Sequence, residues 1–273
     1  MKIEDVLGTG KAGAEVARQV GEIIKEPTSN LINPSAKTIG QRVSDIFDLI
    51  FTPFEMAKIY KDHGVERFKQ SLNAKIDAIP EDKRVSPPLN VVGPALEASK
   101  YYIENEKLRE MFADLIASAM TSDKTELAHP SFVEIIKQLS PLDGKLISMF
   151  NFHNTYPTCN IRGIKANGDI IPYRPVLFDF RGESCASSFE EEVQLTVSLD
   201  NLIRLGIVFK RMGMVPDFNY DFFKTCRTYL ALEQLAIENS PDNTLEIVKS
   251  RIELTAFGYQ FLSCCLPKKQ MNL

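Results

Sequence analysis

The sequence contains no tryptophan and only three histidines, His63, His129 and His153. Histidine is the side chain whose ordinary pKa lies nearest neutrality, so general acid–base chemistry has few carriers here. None of the three stands four residues from another, as a helical zinc-hydrolase motif requires. Cysteine is scarce as well. Cys159, Cys185, Cys226, Cys264 and Cys265 are odd in number, scattered, and without a C-x-x-C pair, which argues against a metal cage and against a disulfide framework. Long apolar runs are also missing. The longest near the N-terminus is LIFTPF, Leu49–Phe54, far short of the roughly 18 to 20 residues a membrane-spanning helix needs. The opening residues mix both charge signs, where a secretory signal would place an apolar block after a basic start, so the expected location is the cytoplasm.

Neither sign of charge dominates. With 32 basic against 36 acidic residues, the net charge of −4 creates no global field toward nucleic acid or an anionic membrane. Catalytic patterns are equally sparse. Gly8-Thr9-Gly10-Lys11-Ala12-Gly13 lacks the G-x-x-x-x-G-K-[ST] spacing and follows no strand, and no G-x-S-x-G elbow occurs. Glu190-Glu191-Glu192 points to three faces of a helix and reads as a solvated start favoured by the helix dipole. The expectation is therefore no catalytic, cofactor-binding or metal-ligating residues, and no enzyme.

What the chain does specify is helix. Residues 3–25 carry an apolar face, and Gly13, Ala17 and Gly21 form a small-residue line along which a neighbouring helix or a second copy could approach closely, a candidate self-association surface. A second helix is expected from about Thr38 on Ile39, Val43, Ile46, Phe47 and Ile50, with Pro53 interrupting it. A third spans Gly64 to Ala78 on Val65, Phe68, Leu72 and Ile76. The four prolines of Pro80–Pro94 break the helical pattern and mark a boundary, with helix resuming over Ala95–Ile103. Leu108, Met111, Phe112, Leu115, Ile116 and Ala119 then repeat on one helical face, with Asn105 as its cap. After a loop over Thr121–Ala128, Pro130 suits a first helical position, and His129 before it reads as a cap or loop contact. Ser140-Pro141-Leu142-Asp143 repeats the start signal.

The second half changes character. Tyr156–Ser188 shows no helical period and is expected to be irregular with short strands. Phe189–Leu205 is helical on Val193, Val197, Leu199, Leu202 and Leu205, stopping at Gly206. Ile207–Lys210 and Leu245–Leu254 read as strands, Asp221–Ile237 as one helix, and Thr255–Leu266 as a closing helix. That order matches a winged helix with a helical insertion in its wing. The fold class is thus mainly α, with a helical region over 1–140 and a winged-helix-like α+β region with insertions over 141–273. A wing invites DNA, with Lys210, Arg211, Lys249 and Arg251 as backbone contacts. The part that would enter the groove, about Thr196 to Leu205, carries one base, Arg204, and one acid, Asp200, whereas phosphate neutralisation normally takes several Lys or Arg. Nucleic acid is not the favoured partner.

At LREMFADLIASAM, Leu108–Met120, and AHPSFVEIIKQLSPLDGKLI, Ala128–Ile147, the chain resembles the abortive infection alpha family of bacteria. The similarity takes in the Pro-rich approach of Pro87–Pro94, the Leu-Arg-x-x-Phe-Ala-x-Leu helix, the His-Pro-Ser-Phe helix and the closing LTAFGYQFL. The resemblance implies a mainly helical cytoplasmic protein of phage defence, in which infection of one cell is stopped at that cell's expense. It carries over no catalytic residues. The expected function is a non-enzymatic anti-phage protein acting through contact with a phage or host protein, with Arg109 and His129 of the motif as candidate interaction residues. The alternatives are a winged-helix DNA-binding regulator, or a peripheral membrane effector using the N-terminal amphipathic helices.

Overall fold

The computed structural model describes residues 43–48, 50–51, 64–178 and 189–266. The helix expected over 3–25, with Gly13, Ala17 and Gly21, lies outside the described residues, as do Ile39, Pro53 and His63. The chain divides into two compact units, Met1–Lys137 and Gln138–Leu273.

The first unit is helical. Residues 43–48 and 50–51 are helix, with Val43, Ile46, Phe47, Ile50 and Phe51 buried. Helix α1 (Gly64–Asp77) buries Val65, Phe68, Leu72 and Ile76, the residues at helical spacing. The Phe47 and Phe51 rings stack with centroids 4.3 Å apart, and Phe68 sits 5.5 Å from Phe47. A short 3₁₀ turn over Glu81–Lys83 follows. Helix α2 then runs over Leu89–Ser99 with Pro94 inside it, which corrects two expectations. Helix starts six residues before Ala95, and Pro94 does not stop it. Pro94 and Asn90, whose carbonyl loses its donor one turn on, both lie on the exposed face, where water can take the place of the missing bond. Nor is the Pro-rich approach a boundary. Val85 N–H donates to the Met120 carbonyl at 2.9 Å and Ser122 N–H to that of Lys83 at 2.9 Å, fastening the segment to the end of the next helix.

That next helix, α3 (Glu106–Ala119), holds the motif. Asn105 caps it by accepting the Leu108 N–H at 3.2 Å. Leu108, Met111, Phe112, Leu115, Ile116 and Ala119 are all buried, against α1, α2 and helix α4 (Ser131–Lys137).

The second unit opens with α5 (Pro141–Met149), started by a full capping box. Ser140 Oγ accepts the Asp143 N–H at 3.1 Å, and Asp143 Oδ2 accepts the Ser140 N–H at 2.7 Å. The region expected to be irregular with short strands holds two long ones in a hairpin, β1 (Thr155–Ile164) and β2 (Ile170–Phe178). Its turn holds Asn167 and Gly168, the latter at φ 85°, a conformation glycine adopts without strain. Three prolines disguised these strands. Pro157 precedes the stretch of β1 paired with β2, which begins at Thr158, and Pro172 and Pro175 lie in β2 where the register slips between Asn160 and Arg162. β2 is an edge strand, where a missing donor is tolerated.

Helix α6 (Phe189–Arg204) ends as expected at Gly206, with φ 72°. The Ile207 N–H donates to the Leu202 carbonyl at 3.0 Å and the Gly206 N–H to that of Ile203 at 2.9 Å, the paired bonds of a Schellman stop. Its buried face is Leu195, Ser198, Leu199 and Leu202, while Val193 and Val197 are exposed, against expectation. Strand β3 (Val208–Met212) follows. The single helix expected over Asp221–Ile237 is two pieces, a 3₁₀ helix over Tyr220–Thr225 and α7 (Arg227–Asn239), broken at the extended Cys226. Cys226 is disulfide-bonded, which scattered spacing could not disclose because pairing follows spatial proximity. Cys159, Cys264 and Cys265 are buried thiols. Strand β4 (Thr244–Leu254) and helix α8 (Ala256–Cys265) complete the unit.

The sheet is antiparallel with order β2-β1-β4-β3. The strands expected to form a two-stranded wing, β3 and β4, do pair, but β4 is interior and joins β1 along its other edge. Register divides the residues between two faces. Cys159, Ile161 and Ile247 pack under Tyr220, Phe223 and Tyr229. Tyr156 and its cross-strand partner Ile252 face the other way, toward Leu146 of α5 and Leu199 of α6. Among the described residues no helix is long and apolar enough to cross a membrane.

Candidate functional site

The motif helix α3 is apolar on most of its surface, yet three of its charged residues, Arg109, Glu110 and Asp114, face inward or sit half-buried. Glu110 and Asp114 stand one turn apart. Ser71 and Lys75 stand one turn apart on α1, and the two short ladders meet. Lys75 Nζ lies 2.5 Å from Asp114 Oδ1 and 3.3 Å from Glu110 Oε2. Ser71 Oγ donates to Glu110 Oε2 at 2.6 Å. Arg109 donates from one terminal nitrogen to the Ile103 carbonyl at 3.0 Å, and its Nε lies 3.7 Å from Glu110 Oε1 with no hydrogen-bond partner. The group crosses from α1 to α3 and ties in the turn before α3.

The charges here pull in opposite senses. Burial works against the Lys75 ammonium, but the hydrogen bonds and charges of Asp114 and Glu110 together hold its pKa above the ordinary lysine value. At Asp114 burial dominates, lifting the carboxyl from 3.8 to about 6 with Lys75 opposing. The difference follows from enclosure, because the Asp114 side chain is 10% exposed and that of Lys75 27%. Desolvation therefore decides the acid, while pairing decides the base.

The other candidate residues serve several separate places. His129 Nδ1 accepts the Ser131 N–H at 3.1 Å and lies 2.6 Å from Ser131 Oγ, so it caps the start of α4. Arg204 donates to Gln138 Oε1 at 3.0 Å and to Asn201 Oδ1 at 2.7 Å. Asn201 in turn donates to Asp143 Oδ2 at 2.9 Å, so this pair grips the capping box of α5. Lys210, Arg211, Lys249 and Arg251 do not form one patch. Arg211 and Arg251 are cross-strand partners on one sheet face and share Glu253 between them. Lys249, on the same face, lies over the Tyr220 ring with Nζ 5.7 Å from its centroid. Lys210 points to the opposite face and donates to Asn160 Oδ1, and burial lowers its pKa. The cause is strand alternation: neighbours in sequence point apart.

Glu192 corrects the reading of a solvated acidic helix start. It is half-buried, accepts the Thr228 hydroxyl of α7, and burial lifts its carboxyl from 4.5 to about 7. Sequence reading also missed Ser71, Lys75, Glu110 and Asp114. The available signal was a pair of polar residues one turn apart inside each apolar pattern. Among the described residues no group of three or more His, Cys, Asp or Glu could hold a metal ion.

The model of the abortive infection alpha family matches residues 60–265, which is more than half of the chain. This chain belongs to the abortive infection alpha family. No curated protein and no solved structure matches it. The matched span takes in α1 through α8, so the α1–α3 brace and the four-stranded sheet both belong to the family region, and most of the segment before α1 does not.

Proposed function

We propose that this abortive infection alpha protein is a non-enzymatic effector that acts in the cytoplasm by contact with a phage or host protein, with the helical first unit as its working part. Family membership supports the role in abortive infection. The contact reading is carried by the direction of the side chains around the motif helix. Arg109, Glu110 and Asp114 hold α3 to α1 and to the preceding turn, while Tyr101 and Leu127, on the segments flanking α3, are 63% and 40% exposed. A helix whose polar groups serve its own packing, with large apolar groups displayed beside it, suits docking better than bond making.

The test is a plaque assay in a phage-sensitive host with and without the chain, scoring plaque number and survival of infected cells. Fewer plaques together with death of infected cells is the expected result, and equal plaquing across a broad phage panel removes the defence role. At matched levels of folded protein, Glu110→Gln and Asp114→Asn should retain protection, whereas Tyr101→Ser combined with Leu127→Ser should lose it. The reverse pattern points to chemistry at the carboxylates and refutes the contact reading.

The succession α6, β3, β4, α8 supports a winged-helix description of part of the second unit, and a DNA-binding regulator is the alternative reading. The sharing of Glu253 by Arg211 and Arg251 and the inward turn of Lys210 weigh against it, because phosphate contact needs outward, unneutralised cations.

A further inference from the structure

Helix α7 buries Thr228, Tyr229 and Ala236, with Tyr229 packed on Cys159 and Ile161 of the sheet and Thr228 donating to Glu192 of α6. The residues on its opposite side form a second regular line. Arg227, Leu230, Ala231, Gln234, Ile237 and Glu238 fall at i, i+3, i+4, i+7, i+10 and i+11, and all are exposed, with Leu230 51% and Ile237 52% open to solvent and Leu235 beside them 46%. That spacing is the one by which helices in this chain bury a face, here with none of the described residues over it.

The charges at its two ends have the wrong sign for an isolated helix. α7 has no acid in its first turn and no base in its last. Arg227 instead occupies the positive end of the helix dipole and Glu238 the negative end, both unfavourable placements. Among the described residues neither is ion-paired, and Glu238 accepts only from Gln234, at 2.9 Å. The two lie eleven residues apart on one face, about 16 Å at the helical rise.

We propose that this face of α7 pairs with α7 of a second copy of the chain, antiparallel about a two-fold axis. In that arrangement Arg227 meets Glu238 of the second copy and Glu238 meets its Arg227. Leu230 of each copy lies along one flank against Ile237 of the other, and Ala231 lies against Gln234. One self-complementary patch thus answers the exposed apolar line and both misplaced charges, as an isologous interface must. A parallel pairing would set Arg227 against Arg227, so antiparallel is the orientation the charges select. The patch is one face of a helix about 20 Å long and about 10 Å across, an area well below the roughly 800 Å² per partner of a standard interface, so the dimer is weak and concentration-dependent.

Sedimentation equilibrium of the full chain, up to roughly 100 µM to reach the range of small interfaces, should show monomer and dimer in exchange. Leu230→Asp with Ile237→Asp should raise the dimer dissociation constant at least about tenfold without altering circular dichroism. Arg227→Glu alone and Glu238→Arg alone should each weaken the dimer, while an equimolar mixture of those two variants should restore it, because only the mixed pair sets opposite charges face to face at both ends. A strict monomer, a dimer indifferent to the α7 variants, or a mixture no tighter than its components overturns the proposal. The second of these outcomes would place the contact elsewhere, as along the line of Gly13, Ala17 and Gly21.

Discussion

Replacing Lys75 by methionine removes one ammonium from the α1–α3 brace while keeping most of the side chain's volume. Asp114, 10% exposed, then keeps Glu110 one turn away and loses the cation 2.5 Å from its Oδ1. Removing one partner of a buried pair costs about 3–5 kcal/mol, because the other charge stays uncompensated. Lys75 and Glu110 are 27% and 31% exposed, and water screens part of that, so a loss of about 2–3 kcal/mol near neutral pH is expected. The pH dependence has a definite sign. The folded-state pKa of Asp114 is raised from 3.8 to about 6, so the native state binds its proton more tightly than the unfolded chain does. The contribution is fully present below about 3.8 and is lost as pH rises through about 6. Taken in full, that difference is worth about 3 kcal/mol. Lys75→Met withdraws the opposing cation and lifts the Asp114 carboxyl further, so the deficit relative to wild type should be small near pH 5 and grow above it. Urea unfolding followed by circular dichroism, with hydrogen exchange at the α3 amides, reads the difference at about pH 5 and about pH 7.5. Adding Asp114→Asn should recover most of the loss at the higher pH. Equal deficits at both pH values, or no recovery in the double variant, would show that no buried carboxylate is being held there.

Two glycines of the second unit should respond very differently to the same change. A Cβ on Gly258 would lie 2.0 Å from the Ile207 carbonyl oxygen, while one on Gly206 meets open space at φ 72°. Gly258→Ala should therefore abolish soluble protein or lower stability by more than about 3 kcal/mol, and Gly206→Ala by about 1 kcal/mol. Comparable thermal midpoints for the two variants would contradict the close approach of α8 to the chain before β3. Glu192 should titrate near neutrality. Its folded-state pKa is raised from 4.5 to about 7, so its contribution is present below 4.5 and lost as pH climbs through 7. Glu192→Gln keeps an acceptor for Thr228 and cannot ionise, so its thermal midpoint should vary less across that window than wild type's, and a carbon-detected titration should place the carboxyl near 7. An unchanged slope in the variant would locate the titrating group elsewhere.

The helical elements with a clear period were legible to within a few residues. α1 and α3 bury the residues their spacing selects, and the caps at Asn105 and Ser140 do what those side chains do wherever a helix begins. The failures share a cause. Pro94 reads as a helix stop because its cost is local, while the exposure that lets water offset it is not. Pro157, Pro172 and Pro175 hide the length and pairing of two strands because edge position and register are properties of the assembled sheet. Val193 and Val197 read as core on α6, yet Leu195 and Ser198 are chosen by where the sheet lies.

The candidate site was less legible than the fold. Arg109 stands inside the motif and could be named, but its hydrogen-bond partner, the Ile103 carbonyl, comes within reach only once the turn before α3 folds back. Lys75 and Asp114 are 39 residues apart in sequence, and nothing local in either ladder names the other. Of four basic residues that looked like one wing patch, strand alternation turned Lys210 to the opposite sheet face from Arg211, Lys249 and Arg251.

Alone, then, the sequence determined where α1, α3, α5, α6 and α8 lie and which side of α1 and α3 is apolar, because those choices depend on hydrogen bonds and side-chain spacing within a few residues. Which polar groups meet, which carboxyls are pushed toward neutrality, and which apolar side chains remain uncovered on α7 were decided by the tertiary structure. Burial and long-range pairing exist only when distant segments are brought within contact distance, and desolvation has no counterpart in a chain still surrounded by water.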